Sequence, residues 1–323
     1  MTRAITKAVV GAVLCFSLLV PSLANADLSF NRIITFGDSL SDPGNYFVLT
    51  GDFVVRPFVP VPDAPYLIGG FHFSNGPTWV EQLATDLRMP ASGAPAFLFP
   101  GMFTNYAIGR SRAREVPQAD LACASCYLAA QVEKFLKDFH GRAPQNALYV
   151  VFIGSNDLRD ALEVFDLNDL GPSFTIIATA ISATQQNIEA LLEAGARKFL
   201  IANLPNVGIT PYVTHFGPPG AVDAAEFLSG WYNAQLEEML AGFSGSGIQR
   251  TTLDVYTLLN KLVDEPSLAH LTNATNSCLA FGVFQGAICA YPKDYLFWDG
   301  IHPTTTGHDA LSDEAKKELG IAP

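Results

Sequence analysis

The stretch RIITFGDSLSDPGN, Arg32 to Asn45, decides the fold. Four residues of strand-like character, Arg32-Ile33-Ile34-Thr35, run through Phe36 and stop at Gly37-Asp38-Ser39. Working outward, comparable apolar, β-prone runs lie at 147–153, 198–203 and 249–255, with a weaker one at Asn105-Tyr106-Ala107-Ile108. Helix-length segments separate them at 78–87, 126–140, 174–194, 223–241 and 304–319. The 174–194 segment places Ile177, Ile181, Ile188, Leu191 and Leu192 close to a helical period and ends at Gly195. Strands alternating with helices predict an α/β fold: a parallel sheet with crossover helices on both faces. Stretches rich in Pro and Gly at 56–77, 90–101 and 217–220 read as long loops, because strand–helix units continue beyond each.

The first 26 residues stand outside this rhythm. Arg3 and Lys7 make a basic start, Val9 to Val20 is apolar, and Ala24-Asn25-Ala26 is an A-x-A cleavage signal. That is the pattern of a secretory signal peptide, which leaves residues 27–323 with the length of one large α/β domain, two small ones being the alternative. Removing two basic residues takes the formal charge from −12 to −14. Such a surface argues against nucleic acid and against docking on anionic lipid, and acidity is also what keeps an exported protein soluble. No later apolar run is long enough to span a bilayer, so no transmembrane anchor is expected.

Four cysteines remain: Cys123, Cys126, Cys278 and Cys289. An even count in an exported chain favours two disulfides over a redox or zinc reading of Cys123-x-x-Cys126. Pairing 123 with 126 and 278 with 289 is the simplest of three connectivities. The six histidines are scattered and form no His-Glu-x-x-His, so no metal is expected. The absence of Gly-x-Gly-x-x-Gly and Walker-type loops leaves no cofactor to expect.

In open parallel sheets ligands bind beyond the carboxyl ends of the strands. Four segments fall there: Gly37-Asp38-Ser39-Leu40-Ser41, Gly109, Gly154-Ser155-Asn156-Asp157, and Trp298-Asp299-Gly300-Ile301-His302-Pro303 before the last helix. A serine hydroxyl attacks well only when a base takes its proton, and an imidazole titrating near neutrality suits that task. His302 is the expected base and Asp299 its orienter. Donors for a developing oxyanion are expected from the Ser39 and Gly109 backbone N–H groups and from the Asn156 amide. Each residue has a plainer role when taken singly. Gly-Asp-Ser is a common turn, Asn156-Asp157 favours helix capping, Asp-x-x-His occurs in surface turns, and His308 is a rival base. No Gly-x-Ser-x-Gly occurs, so the nucleophile elbow of α/β-hydrolases is missing.

The four segments together resemble the blocks of the GDSL, or SGNH, esterases and lipases: Phe36-Gly37-Asp38-Ser39-Leu40-Ser41-Asp42, Asn105-Tyr106-Ala107-Ile108-Gly109, Gly154-Ser155-Asn156-Asp157, and Asp299-Gly300-Ile301-His302-Pro303. Phe73 to Trp79, Asn203 to Pro211 and Tyr291 to His308 are similar to the bacterial secreted branch, which includes lysophospholipases, glycerophospholipid–cholesterol acyltransferases and thermolabile haemolysins. The resemblance implies a three-layer α/β/α sandwich around a five-stranded parallel sheet, flavodoxin-like in architecture. It implies a serine ester hydrolase with a Ser39, His302, Asp299 triad, acting as a monomer on an ester or lipid, with an acceptor alcohol as a possible second substrate. Carbohydrate O-acetyl ester hydrolysis is the alternative within the family, with Tyr46, Trp79, Tyr212 and Trp231 available to stack on sugars. A catalytically inactive secreted binding protein is the alternative outside it. Two departures stand out. Where the second block usually continues with glycine and a small residue, Arg110-Ser111-Arg112 follows, either lining the entrance or pairing with the acidic surface. The short segment after His302 leaves no room for the membrane β-barrel of outer-membrane esterases, so release or a periplasmic location is expected. Phenylalanines in loop 97–103 are candidates for an acyl site, beside the commoner role of core packing.

Overall fold

Five uncharged residues, Ile33–Gly37, form β1, and all five are buried. The next strand, β2 (Leu148–Phe152), is buried throughout as well. Continuous apolar runs of this kind belong to strands covered on both faces. β1 pairs in parallel with β2 from Ile33↔Leu148 to Gly37↔Phe152. β2 pairs with β3 (Lys198–Ala202), and β3 with β4 (Gln249–Leu253). β4 is the outer strand, and its exposed Gln249 and Arg250 blunt that edge with polar side chains. The computed structural model describes residues 29–117 and 122–321, so the leader at 1–26 lies outside the described residues.

The helices are α1 (Asn45–Thr50), α2 (Trp79–Asp86), α3 (Pro90–Gly93), α4 (Leu128–Asp138), α5 (Ser155–Glu163), α6 (Gly171–Ala194), α7 (Pro211–Phe216), α8 (Ala221–Ala241), α9 (Val255–Asp264) and α10 (Thr305–Glu318). α6 packs against α4, α5 and α8, while α10 packs against α2 and α9. These two groups are the outer layers of a three-layer α/β/α sandwich, with the four-stranded sheet and its apolar core between them. Local chemistry sets several helix ends. Thr78 and Glu81 form a capping box at the start of α2, and Thr304 accepts from the Gly307 N–H at the start of α10. A two-stranded sheet, β5 (Asn273–Ser277) and β6 (Tyr295–Phe297), stands apart from the main one.

The main sheet has four regular strands where five were expected. The weak run around Asn105–Ile108 does lie beside β1: Thr35 N–H donates to Thr104 O (3.0 Å), Tyr106 N–H to Thr35 O (2.7 Å) and Ile108 N–H to Gly37 O (3.1 Å). On its other side the ladder stops at a single bridge, Asn105 to Pro95, because side chains take the neighbouring backbone groups. Asn45 donates to the Asn105 and Ala107 carbonyls, and the Ala107 N–H donates to the Asn105 side chain. From this edge the order is segment 104–108, β1, β2, β3, β4. The chain moves outward from β1 and then returns past it, so β1 is a topological switch point, where such sheets open a crevice.

Candidate active site

Ser39 sits in the turn that ends β1. Asp38 shapes that turn, its side chain accepting from Leu40 N–H (3.0 Å) and its carbonyl from Ser41 N–H (3.0 Å). The residues around Ser39 from Ile33 to Asn45 are buried, and Ser39 alone among them is partly open. Its Oγ lies 2.9 Å from His302 Nε2, and His302 Nδ1 lies 2.7 Å from Asp299 Oδ2. Asp299 accepts the Nδ1 proton, which leaves Nε2 free to accept from the serine hydroxyl. The carboxylate is itself held: Oδ1 accepts from Ile301 N–H (2.8 Å) and His302 N–H (2.7 Å), and Oδ2 from the Tyr66 hydroxyl (2.8 Å). Burial, followed by the Asp299 charge, pushes the Tyr66 phenol well up, so it stays a donor.

Tyr66 was not legible in the sequence. It arrives from a proline-rich loop, packs edge-on against Trp298 and Phe58, and belongs to a small second core with Cys278 and Leu279. The Phe73 to Gly76 stretch clamps the histidine loop: Ser74 Oγ donates to Pro303 O (2.8 Å), and Asn75 Oδ1 accepts from Thr305 N–H (2.8 Å). Rival base His308 is fully buried, and burial pushes its imidazole down to about 3. It is therefore neutral, and among the described residues no hydrogen bond joins it to Ser39.

The three expected oxyanion donors converge differently. The Ser39 N–H has no partner among the described residues. Asn156, buried at the start of α5, spends one amide hydrogen on Ser111 O (2.9 Å) and keeps the other. The Gly109 N–H, however, donates to Asp42 Oδ2 at 2.7 Å. Asp42 also accepts from the Gly44, Asn45 and Tyr46 N–H groups, and burial pushes its carboxyl up to about 6. Gly109 therefore matters through close approach: a Cβ there would lie 2.1 Å from Phe73, whose ring packs 5.4 Å from the His302 ring. The next residue, Arg110, adopts a left-handed conformation (φ 63°) that favours glycine, and its N–H has no partner among the described residues.

The arginines after Gly109 pair with carboxylates. Arg112 makes a two-pronged contact with Asp160 (2.5 and 2.8 Å), Arg114 reaches Asp160 and Asp157, and Arg110 reaches Asp63 at 3.3 Å. Both expected disulfide pairings are present, Cys123–Cys126 and Cys278–Cys289.

Ser39 and His302 open into a cavity of about 860 Å³. Leu162, Phe165, Ile209, Val213, Phe216 and Leu259 give it an apolar wall. Loop 97–103 is elsewhere: Phe97 packs on the core, and exposed Phe99 packs edge-on against Phe103. Of the four aromatic residues considered for sugar stacking, only Tyr212 lines this cavity. Tyr46 and Trp79 are buried, and Trp231 stacks on Phe174.

With this geometry in place, the comparisons with known proteins converge. Residues 33–315 match the model of the GDSL-like lipase/acylhydrolase family. A GDSL esterase/lipase of Arabidopsis thaliana is 24% identical over 351 residues, covering 95% of this chain and 94% of the relative. Lipase 1 of Photorhabdus luminescens is 29% identical over 204 residues, 62% of this chain and 26% of that protein. Some relatives are named inactive, including one from Arabidopsis at 24% identity that covers 89% of this chain and 69% of the relative. An extracellular lipase from Streptomyces rimosus aligns in structure with a TM-score of 0.41 and 12% identity, over 89% of this chain and 99% of that one. The chain belongs to the GDSL-like lipase/acylhydrolase family and is a serine ester hydrolase. Among the described residues no helix is long and apolar enough to cross a membrane.

Proposed function

We propose that the chain hydrolyses acyl esters of amphiphilic lipids through a covalent acyl-enzyme. The observation that carries this reading is the Ser39–His302–Asp299 hydrogen-bonded chain at the mouth of an apolar cavity of about 860 Å³. Ser39 Oγ attacks the ester carbonyl while His302 Nε2 takes its proton, and Asp299 stabilises the imidazolium. His302 then returns the proton to the departing alcohol. Water, activated by the same imidazole, releases the acid; an acceptor alcohol in its place would give acyl transfer. The Ser39 N–H and the free Asn156 amide hydrogen hold the oxyanion, and the Arg110 N–H takes the place first expected for Gly109. The commitment of the Gly109 N–H to Asp42 supports that reading. It also accounts for a non-glycine residue held left-handed, at a cost of about 1–2 kcal/mol.

Export after cleavage near Ala26 agrees with the leader pattern and with two disulfides. Placement in the bacterial secreted, lysophospholipase-like branch rests on the sequence blocks and on the cavity's suitability for an acyl chain. The test is hydrolysis of p-nitrophenyl esters from acetyl to palmitoyl by wild type and Ser39→Ala. A Ser39-dependent rate that peaks at a chain longer than acetyl is expected. A rate untouched by Ser39→Ala removes Ser39 from the mechanism, and an acetyl optimum favours an acetylesterase.

A further inference from the structure

One cation in the cavity wall has no carboxylate within 4.0 Å among the described residues. Arg159 lies one helical turn beyond Ser155 and Asn156 on α5, on the same face of that helix, and lines the cavity together with Ser39 and His302. Four arginines gather at this corner. Arg110, Arg112 and Arg114 each have a carboxylate within 4.0 Å, and Arg159 has none among the described residues. Its Nε is buried without a hydrogen-bond partner. Burial, followed by the neighbouring Arg112 charge, pushes its guanidinium down from its ordinary value. A half-buried guanidinium remains charged and is costly to leave unpaired. The acids nearby are not in contact with it: Asp63 is engaged with Arg110, Asp166 accepts from its own turn at Asn168, and Asp160 and Glu163 favour the guanidinium only by their charge, neither coming within 4.0 Å.

Building on the esterase reading, we propose that Arg159 binds an anionic group on the alcohol side of the ester. The preferred substrate is then an acyl ester carrying a phosphate or carboxylate close to the scissile bond, with its acyl chain in the apolar part of the cavity. The planar guanidinium fork matches either oxyanion in two-pronged fashion.

Binding of hexyl phosphate, heptanoate and hexanol is measured by calorimetry on wild type, Arg159→Gln and Arg159→Lys. In parallel, kcat/KM is measured for 1-hexanoylglycerol and its 3-phosphate. Wild type is expected to prefer hexyl phosphate over hexanol by about tenfold, equivalent to ~1.4 kcal/mol. Arg159→Gln should erase that preference, Arg159→Lys should retain part of it, and the ratio of phosphorylated to neutral ester turnover should follow. Heptanoate against hexyl phosphate tells carboxylate from phosphate. An undiminished preference in Arg159→Gln overturns the proposal. So does an equal loss for charged and neutral ligands, which would make Arg159 a structural support of α5. If the binding preference holds and wild type cleaves neither ester, the esterase reading fails while the anion site stands.

Discussion

Replacing Gly109 by alanine adds one methyl group and removes no hydrogen bond, since alanine keeps the N–H that Asp42 accepts. The new Cβ would lie 2.1 Å from Phe73 Cε2 and 2.5 Å from Cζ. Ordinary contacts begin near 3.4 Å, so the ring must retreat by more than an ångström. Phe73 is almost fully buried, and its ring lies against the His302 imidazole. The displacement is therefore passed to the base. Overpacking of this size costs about 1–3 kcal/mol of stability, and moving a catalytic group by about 1 Å costs on the order of 100-fold in rate. Gly109→Ala should lower kcat for a p-nitrophenyl ester about 100-fold while melting only slightly earlier. Adding Phe73→Leu, which makes room for the methyl, should recover at least part of the rate. Full activity in Gly109→Ala refutes the reasoning, as does a loss that Phe73→Leu leaves unchanged.

Tyr66→Phe deletes one donor to Asp299 and leaves the carboxylate its other partners. Losing a hydrogen bond to a charged group costs about 1.5–3 kcal/mol, so kcat should fall by about tenfold to a hundredfold, with KM little changed; wild-type kinetics would show the phenol to be idle. Buried Asp157 is pushed up to about 7 from its ordinary 3.8, with burial the leading cause. The folded state thus holds this proton more tightly than the unfolded chain does. Its contribution to stability is present in full below pH 3.8 and is lost as pH rises toward 7, a swing on the order of 4 kcal/mol. Thermal melts should therefore show wild type losing stability relative to Asp157→Asn between pH 4 and pH 7. A difference that stays flat, or grows in favour of wild type, contradicts the sign.

The four regular strands fall within two residues of the expected segments, because uncharged runs such as Ile33–Gly37 and Leu148–Phe152 have no other stable place than a sheet interior. α9 was missed although its signal was present: Asp254 caps it, and Val255, Leu259 and Leu262 make a buried stripe. The fifth strand was over-read, since nothing in Asn105–Ile108 announces that Asn45, some 60 residues earlier, takes its carbonyls. The residue types that meet beyond β1 were legible, since Ser39, His302 and Asp299 form one hydrogen-bonded chain. What stayed hidden depends on long-range geometry: Tyr66 meets Asp299 across 233 residues, and the direction of the Gly109 N–H depends on a buried acid in the first turn. The apolar cavity beside Ser39 eluded composition for the same reason. Phenylalanine counts do not tell which loops face the serine.

The two disulfides acquire a meaning from where they sit. Cys126 O accepts from Arg112 N–H, and Cys278 N–H and Leu279 N–H donate to Phe297 O and Trp298 O, the residues just before Asp299. β1 to β4 contain no cysteine. The two bridges thus fasten the loops that carry Arg112 and Asp299 and leave the sheet without a covalent tie. Equal activity with all four thiols reduced would show these fastenings to be idle. Otherwise, the activity of the site answers to the redox state of the compartment in which the chain folds.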